Sequence, residues 1–224
     1  GQQNLQTAQQ LDNAMGELRQ SIAKKDQVKA DSKYLNEDPQ IKQNYDDAVQ
    51  RVETIINETQ NPELLKANID QATQSVQNAE QALHGAEKLN QDKQTSSTEL
   101  DGLTDLTDAQ REKLREQINT SNSRDDIKQK IEQAKALNDA MKKLKEQVAQ
   151  KDGVHANSDY TNEDSAQKDA YNNALKQAED IINNSSNPNL NAQDITNALN
   201  NIKQAQDNLH GAQKLQQDKN TTNQ

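Results

Sequence analysis

The sequence predicts an all-α fold: tandem three-helix bundles, alternately long and short, that share long helices and extend as a rod. Three observations predict it. Apolar residues recur at spacings of three and four along every major segment. No stretch alternates apolar and polar residues as a strand does. The whole pattern also returns after 126 residues without a gap.

The repeat is read directly from matched residues. Leu11, Met15 and Leu18 return as Leu137, Met141 and Leu144. Tyr34 and Tyr45 return as Tyr160 and Tyr171, Ile55-Ile56 as Ile181-Ile182, and Pro62 as Pro188. Leu83-His84-Gly85-Ala86 returns as Leu209-His210-Gly211-Ala212. Aligning residues 4–98 on 130–224 gives 38 identities in 95 positions. Residues 99–129 occur once, as the tail of the first period.

The first segment carries Ala8, Leu11, Met15, Leu18 and Ile22 on one helical face and predicts a helix near 3–30. Asp38-Pro39 places a capping side chain before proline at the first helical position and opens a helix near 39–59. Its stripe is Ile41, Tyr45, Ala48, Val49, Val52, Ile55 and Ile56. Asn61-Pro62 gives the same signal for a helix over 62–94, with the stripe Leu65, Ile69, Ala72, Val76, Ala79, Leu83 and Ala86. Thr95 to Leu106 reads as a loop containing Gly102. Thr107-Asp108-Ala109-Gln110 is a capping box for a short helix over 107–119, given a narrow stripe by Leu106, Leu114 and Ile118. Ser123 is placed to cap a long helix over 123–151. Helices over 164–184 and 188–219 repeat the second and third, with an Asn- and Ser-rich loop at 183–191 between them.

Lengths turn these helices into an architecture. A helix over 62–94 is roughly 49 Å long and one over 39–59 roughly 31 Å. The overshoot leaves room for the short helix, and the helix from 123 then runs on into the next bundle. The division is a three-helix bundle over 1–95, a short bundle over 96–126 completed by the flanking helix ends, and a second long bundle over 127–224. Stacked in line they give about 90–110 Å at 1.5 Å per helical residue.

Composition sets limits on function. Hydrophobic residues make up 30% and aromatics 2%, while Asn (27) and Gln (32) account for about a quarter of the chain. Such polarity fits either disorder or thin helical bundles, and the regular stripes favour bundles. There is no 18-residue apolar run and no apolar segment at the start, so neither a membrane span nor a signal peptide is read. With no Cys there is no thiolate site or disulfide. A formal charge of −10 argues against nucleic acid.

Motifs that carry chemistry are absent. His84 and His210 stand one period apart, and His155 lies at a helix end. Adjacent carboxylates such as Asp46-Asp47 and Asp125-Asp126 diverge on a helix. No phosphate loop, EF-hand or nucleophile elbow is found. No catalytic, metal or cofactor residue is assigned, no cofactor is expected, and the ligand-contacting residues are unknown. Gly85 and Gly211 read as mid-helix glycines at a close helix contact. Tyr45 and Tyr171 read as core; Tyr34 and Tyr160 cover the bundle end.

The Pro-started helices with Tyr45, Ile55-Ile56, Asn61-Pro62 and Leu83-His84-Gly85-Ala86 followed by Lys88-Leu89 resemble FIVAR modules. The tail from Leu103 to about Leu144, opening Leu103-Thr104-Asp105-Leu106-Thr107, resembles GA modules. Their alternation at this period resembles the repeat regions of giant fibronectin-binding surface proteins of staphylococci. It covers essentially the whole chain, and its specificity lies in the alternation. The resemblance implies a non-enzymatic repeat segment of a bacterial cell-surface adhesin, on the extracellular side of the envelope and anchored by regions outside it. The implied partner is a host matrix protein such as fibronectin, with cell-wall components as a further class, and the fragment is expected to be monomeric. Albumin binding, known for some GA modules, is not carried over to this tail, for which no residue-by-residue match to an albumin-binding surface is made. Multivalent adhesion and a purely mechanical, envelope-reinforcing rod are the two functional readings.

Overall fold

The computed structural model describes residues 1–222. Among them all regular structure is helical, in thirteen segments. The first period contains α1 (Gln2–Ser21), α2 (Lys25–Ala30), α3 (Ser32–Leu35), α4 (Pro39–Asn57) and α5 (Lys66–Gln81), followed by α6 (Gly85–Asp101) and α7 (Asp108–Asn119). The second contains α8 (Arg124–Val148), α9 (Lys151–Ala156), α10 (Ser158–Thr161), α11 (Ser165–Asn183), α12 (Ala192–Asp207) and α13 (Gly211–Thr222). The chain divides into two compact units, Gly1–Asp92 with Asn122–Arg124, and Lys93–Ser121 with Asp125–Gln224.

In the first unit α1, α4 and α5 form a three-helix bundle. Its core holds Ala14, Leu18, Tyr45, Val49, Val52, Ile69, Ala72 and Val76. Burying a residue such as Leu18 or Ile69 contributes about 1.5–3 kcal/mol. The short α2 and α3 fold back so that Val28 and Tyr34 close one end of this core, beside Leu83. The Tyr45 ring is fully buried, as its stripe position predicts, but its hydroxyl reaches no hydrogen-bond partner. An unsatisfied buried hydroxyl costs about 1–3 kcal/mol. Tyr45→Phe is therefore expected to match or exceed the parent in thermal stability, checked by circular dichroism melting; a clear loss would mean that the hydroxyl is bonded.

The second unit opens with a short bundle. Thr107 and Gln110 make the predicted capping box, and Leu114 and Ile118 are fully buried on α7. Leu100, Leu106, Ile127, Ile131 and Leu137 complete its apolar set. Arg111 donates to the carbonyls of Leu100, Leu103 and Leu106 and so braces the turn between α6 and α7. Asn138 Oδ1 accepts from the backbone N–H groups of Asp105 and Leu106 at 2.9 and 3.1 Å. α8 is the shared helix that the sequence predicts. It carries buried residues from Ile127 to Leu137 and then, unbroken, Ala140, Met141 and Leu144 for the second long bundle. That bundle adds Tyr171, Leu175 and Ala178 from α11 and Ile195, Leu199 and Ile202 from α12. Gln110 and Gln133 tie the short bundle to the carbonyls of Asn189 and Leu190 in the loop before α12.

Several boundaries differ from expectation. The helix expected over 3–30 breaks after Ser21, and the one expected over 123–151 ends at Val148. The helix expected over 62–94 is two helices with a break at 82–84, and its second-copy counterpart breaks at 208–210. Pro62 and Pro188 do not open helices but lie in loops. There the Glu58 carboxylate accepts from the N–H groups of Gln60 and Asn61, and the Asn184 side chain from those of Ser186 and Asn187. These local turns satisfy the chain before the helix begins, and Leu65, assigned to the stripe, is exposed. The segment from Thr95 to Asp101, expected as loop, is helical and supplies buried Ser96 and Leu100.

Candidate functional site

The breaks at 82–84 and 208–210 mark a polar cluster that recurs in both copies. In a continuous helix the His84 N–H would bond to the carbonyl of Glu80. Here the carboxylate of Glu37 reaches across and accepts it at 2.6 Å. Glu37 also accepts from the N–H of Asp38 at 2.7 Å and from the Lys88 ammonium, one turn into α6. Its side chain is wholly inaccessible. A carboxylate at the N-terminus of α6 also complements the helix dipole. The second copy repeats every contact: Glu163 accepts from His210 N–H, Asp164 N–H and Lys214.

Glycine makes this lock possible. A Cβ on Gly85 would lie 2.5–2.6 Å from Glu37 N, Asn36 C and Ser32 O, all backbone atoms. One on Gly211 would lie 2.5–2.7 Å from Ser158 O, Glu163 N and Asn162 C. Close approach is thus the role of both glycines, as the sequence predicts. Both, however, begin a helix rather than lie within one, and the surface they meet is the turn before α4 or α11.

Burial opposes ionisation of Glu37, but hydrogen bonds from Lys88, Asp38 N–H and His84 N–H outweigh it and hold its pKa below the usual carboxylate range. At Glu163, the Lys214 hydrogen bond and then the His210 and Asp164 N–H groups lower the pKa from 4.5 to about 2. The folded pKa lies below the unfolded one, so this stabilisation is complete above pH 4.5. It is lost as pH falls through about 2. Melting temperatures should therefore fall between those limits. Glu163→Gln should flatten the slope of the second unit there; an unchanged slope would show that Glu163 titrates normally.

The lock is accompanied by differences between copies. In the first, the Tyr34 hydroxyl donates to Asp46, which also pairs with Lys29 at 3.6 Å. In the second, the corresponding groups are Tyr160, Asn172 and His155. Asn172 donates to the Tyr160 hydroxyl at 2.9 Å and meets His155 Nε2 at 2.8 Å, and His155 packs on the rings of Tyr160 and Tyr171. The Lys33–Glu80 ion pair, 3.5 Å apart, bridges α3 to α5 in the first copy. Asp159 and Gln206 stand there in the second, and a cleft of about 740 Å³ lies open among Gly153, Val154, Tyr160, Gln206, Leu209 and His210. Tyr160 is half-buried in its wall, whereas Tyr34 is buried.

His84, His155 and His210 do not converge, and no group of three metal-binding side chains occurs among the described residues. No helix there is long and apolar enough to cross a membrane. Neither Glu37 nor Glu163 stands out from the other acidic residues by helical spacing. Their signal lay in the frame Ser-x-Tyr-x-Asn-Glu-Asp, which both copies share at 32–38 and 158–164.

A long helical bundle that recurs in each period, closed both times by the same buried carboxylate, defines a tandem-module helical repeat protein. The chain belongs to the FIVAR domain family, which matches residues 14–84 and 140–210, with a GA module at 86–140 between them. It is 44% identical over 97% of its length to the extracellular matrix-binding protein EbhA of Staphylococcus aureus strain Newman. It is 46% identical, again over 97%, to the extracellular matrix-binding protein ebh of strain NCTC 8325 / PS 47. The chain spans only 6% and 2% of those proteins. The crystal structure of the EbhA 756–1003 domain superposes with a TM-score of 0.81 at 32% identity, covering 92% of this chain and 82% of that one. A structure of the Staphylococcus epidermidis extracellular matrix-binding protein Embp, described for adherence to fibronectin, superposes with a TM-score of 0.54 at 35% identity. It covers 56% of this chain and 99% of that one.

Proposed function

We propose that the chain is a non-enzymatic adhesive repeat of a bacterial cell-surface protein that binds fibronectin through many weak contacts and also serves as an extended stalk. The observation that carries this reading is the match over 97% of the chain to extracellular matrix-binding proteins. The structural likeness to Embp, whose described role is adherence to fibronectin, supports the choice of ligand. Weak sites become effective when repetition turns later binding steps into intramolecular ones. The modules are proposed to divide as 1–95, 96–126 and 127–224, with placement outside the cell and anchorage supplied by other regions. The fragment itself acts as a monomer.

Surface plasmon resonance on immobilised fibronectin tests adhesion. Saturable binding by the chain, tightening at least tenfold when a second copy of residues 1–224 is joined to it, is expected. Signal that neither saturates nor depends on repeat number would leave the purely mechanical rod. The stalk has its own support in α8, which runs unbroken from Arg124 to Val148. Small-angle X-ray scattering should give a radius of gyration above roughly 25 Å, against about 17 Å for a compact globule of this length. A compact value would remove the stalk.

A further inference from the structure

The lock of the first copy carries a second layer. Asn36 Oδ1 accepts from the N–H of Arg124 at 3.0 Å, and Asn36 Nδ2 donates to the carbonyl of Asn122 at 3.0 Å. The Arg124 guanidinium donates through Nε to Asp92 at 2.7 Å, and through Nη1 to Asp38 at 3.0 Å and to the carbonyl of Asn36 at 3.1 Å. A planar fork shared between two carboxylates and a carbonyl is a geometry that arginine meets and lysine does not. Asn36 is only 6% exposed beneath it.

The second copy holds the same receiving residues. Asn36, Asp38 and Asp92 correspond to Asn162, Asp164 and Asp218 at the 126-residue offset, each identical. Gly211, Glu163 and Lys214 hold the surrounding turn in the same way. What differs is occupancy. Asn162 is exposed; its Nδ2 keeps the bond to Ser158 that Asn36 makes to Ser32, and where Asn36 Nδ2 also reaches the carbonyl of Asn122, Asn162 Nδ2 turns to its neighbour Thr161. The Asp164 side chain is 74% exposed against 53% for Asp38. Among the described residues Asp164 keeps only the bonds it shares with Asp38 in the lock, and the exposed Asp218 meets no cation.

We propose that Asn162, Asp164 and Asp218 form a preformed docking site for a further copy of the Asn122–Arg124 segment, in which an arginine opens a helix two residues after an asparagine. The occupant is defined by the filled site of the first copy. It supplies a carbonyl to the asparagine amide, a helix-initial N–H to the asparagine oxygen, and a guanidinium to the two aspartates. Each bundle of this family would then be sealed at its lock by the tail that follows it. This docking stands apart from fibronectin binding.

The test extends the full chain beyond residue 224 with a second copy of residues 99–150, keeping the 126-residue register. Hydrogen exchange of the amides at 158–164 is expected to slow at least fivefold. Asp218→Asn, or glutamine in place of the appended Arg124 copy, should restore the original rate, and combining them should add nothing. In the unextended chain Asp218→Asn should leave exchange within twofold. Asp92→Asn is the internal control: it should quicken exchange at 32–38 in the unextended chain. Exchange at 158–164 that ignores the extension, or slowing that survives both substitutions, overturns the proposal. So does an Asp92→Asn variant without effect. An appended tail that stays unfolded beside this site overturns it too, because the same residues are ordered against the first copy.

Discussion

Gly85→Ala is expected to lower the melting temperature of the first unit by roughly 10–20 °C. The added Cβ would stand 2.5–2.6 Å from three backbone atoms of the turn at 32–37. Backbone cannot rotate aside as a side chain can, so either that turn or the start of α6 must move. Moving either one strains the Glu37–His84 bond. Overpacking in a well-packed core costs about 1–3 kcal/mol and occasionally more. A clash with fixed backbone belongs at the upper end or above, about 3 kcal/mol, and each kcal/mol shifts a 60–100-residue domain by about 4–8 °C. Gly211→Ala should do the same to the second unit. Gly16→Ala is the matched control. A Cβ there meets nothing within 4 Å and the residue lies inside α1, so alanine should stabilise by about 0.5–1 kcal/mol. Differential scanning calorimetry separates the outcomes. Equal melting temperatures for the Gly16 and Gly85 variants would mean that α6 does not press on the turn.

The second large effect is expected at Glu37. Alanine there removes the acceptor for the His84 and Asp38 N–H groups and leaves Lys88 with only Asp38. Hydrogen bonds to a charged group are worth about 1.5–3 kcal/mol, and an N–H left buried without a partner adds its own cost. Lys88 is partly exposed and recovers water, which limits the loss. Glu37→Ala should therefore cost about 2–4 kcal/mol, seen as a shift in urea midpoint at unchanged slope. Lys88→Met, which leaves both backbone bonds intact, should cost less. If the order were reversed, the ammonium rather than the backbone bonding would be the anchor.

These residues show where sequence reasoning succeeds and where it stops. The stripes of α1, α4 and α8 and the capping box at Thr107 are local, set by spacing along one helix, and were readable. So were the buried Tyr45 and Tyr171, whose positions on the stripe leave them nowhere else to go. The break between α5 and α6 was not readable. Residues 78–90 satisfy helix spacing throughout, and the bond that ends α5 comes from Glu37, 47 residues earlier. Glu37 itself looks like any of the 36 acidic residues. Only its recurrence within an identical frame in both copies distinguishes it, and that pattern marks importance without saying what the side chain touches. The prolines misled for a related reason. Pro39 opens α4 after Asp38, but the Asp38 carboxylate turns to Lys88 and Arg124 rather than capping the helix. The same Asx-Pro signal at Pro62 belongs to a turn.

The lock makes a prediction that one measurement can meet directly. Carboxyl ¹³C chemical shifts of Glu37 and Glu163, followed by NMR through an acid titration of the folded chain, report the ionisation of these two groups among all the others. Glu163 should titrate near 2 and Glu37 below 4.5, with the His84 and His210 amide resonances moving at the same pH as the carboxylates they bond. Two ordinary titrations near 4.5, with amides that do not follow, would contradict the account that a buried carboxylate ties the turn before α4 or α11 to the helix break at 82–84 or 208–210.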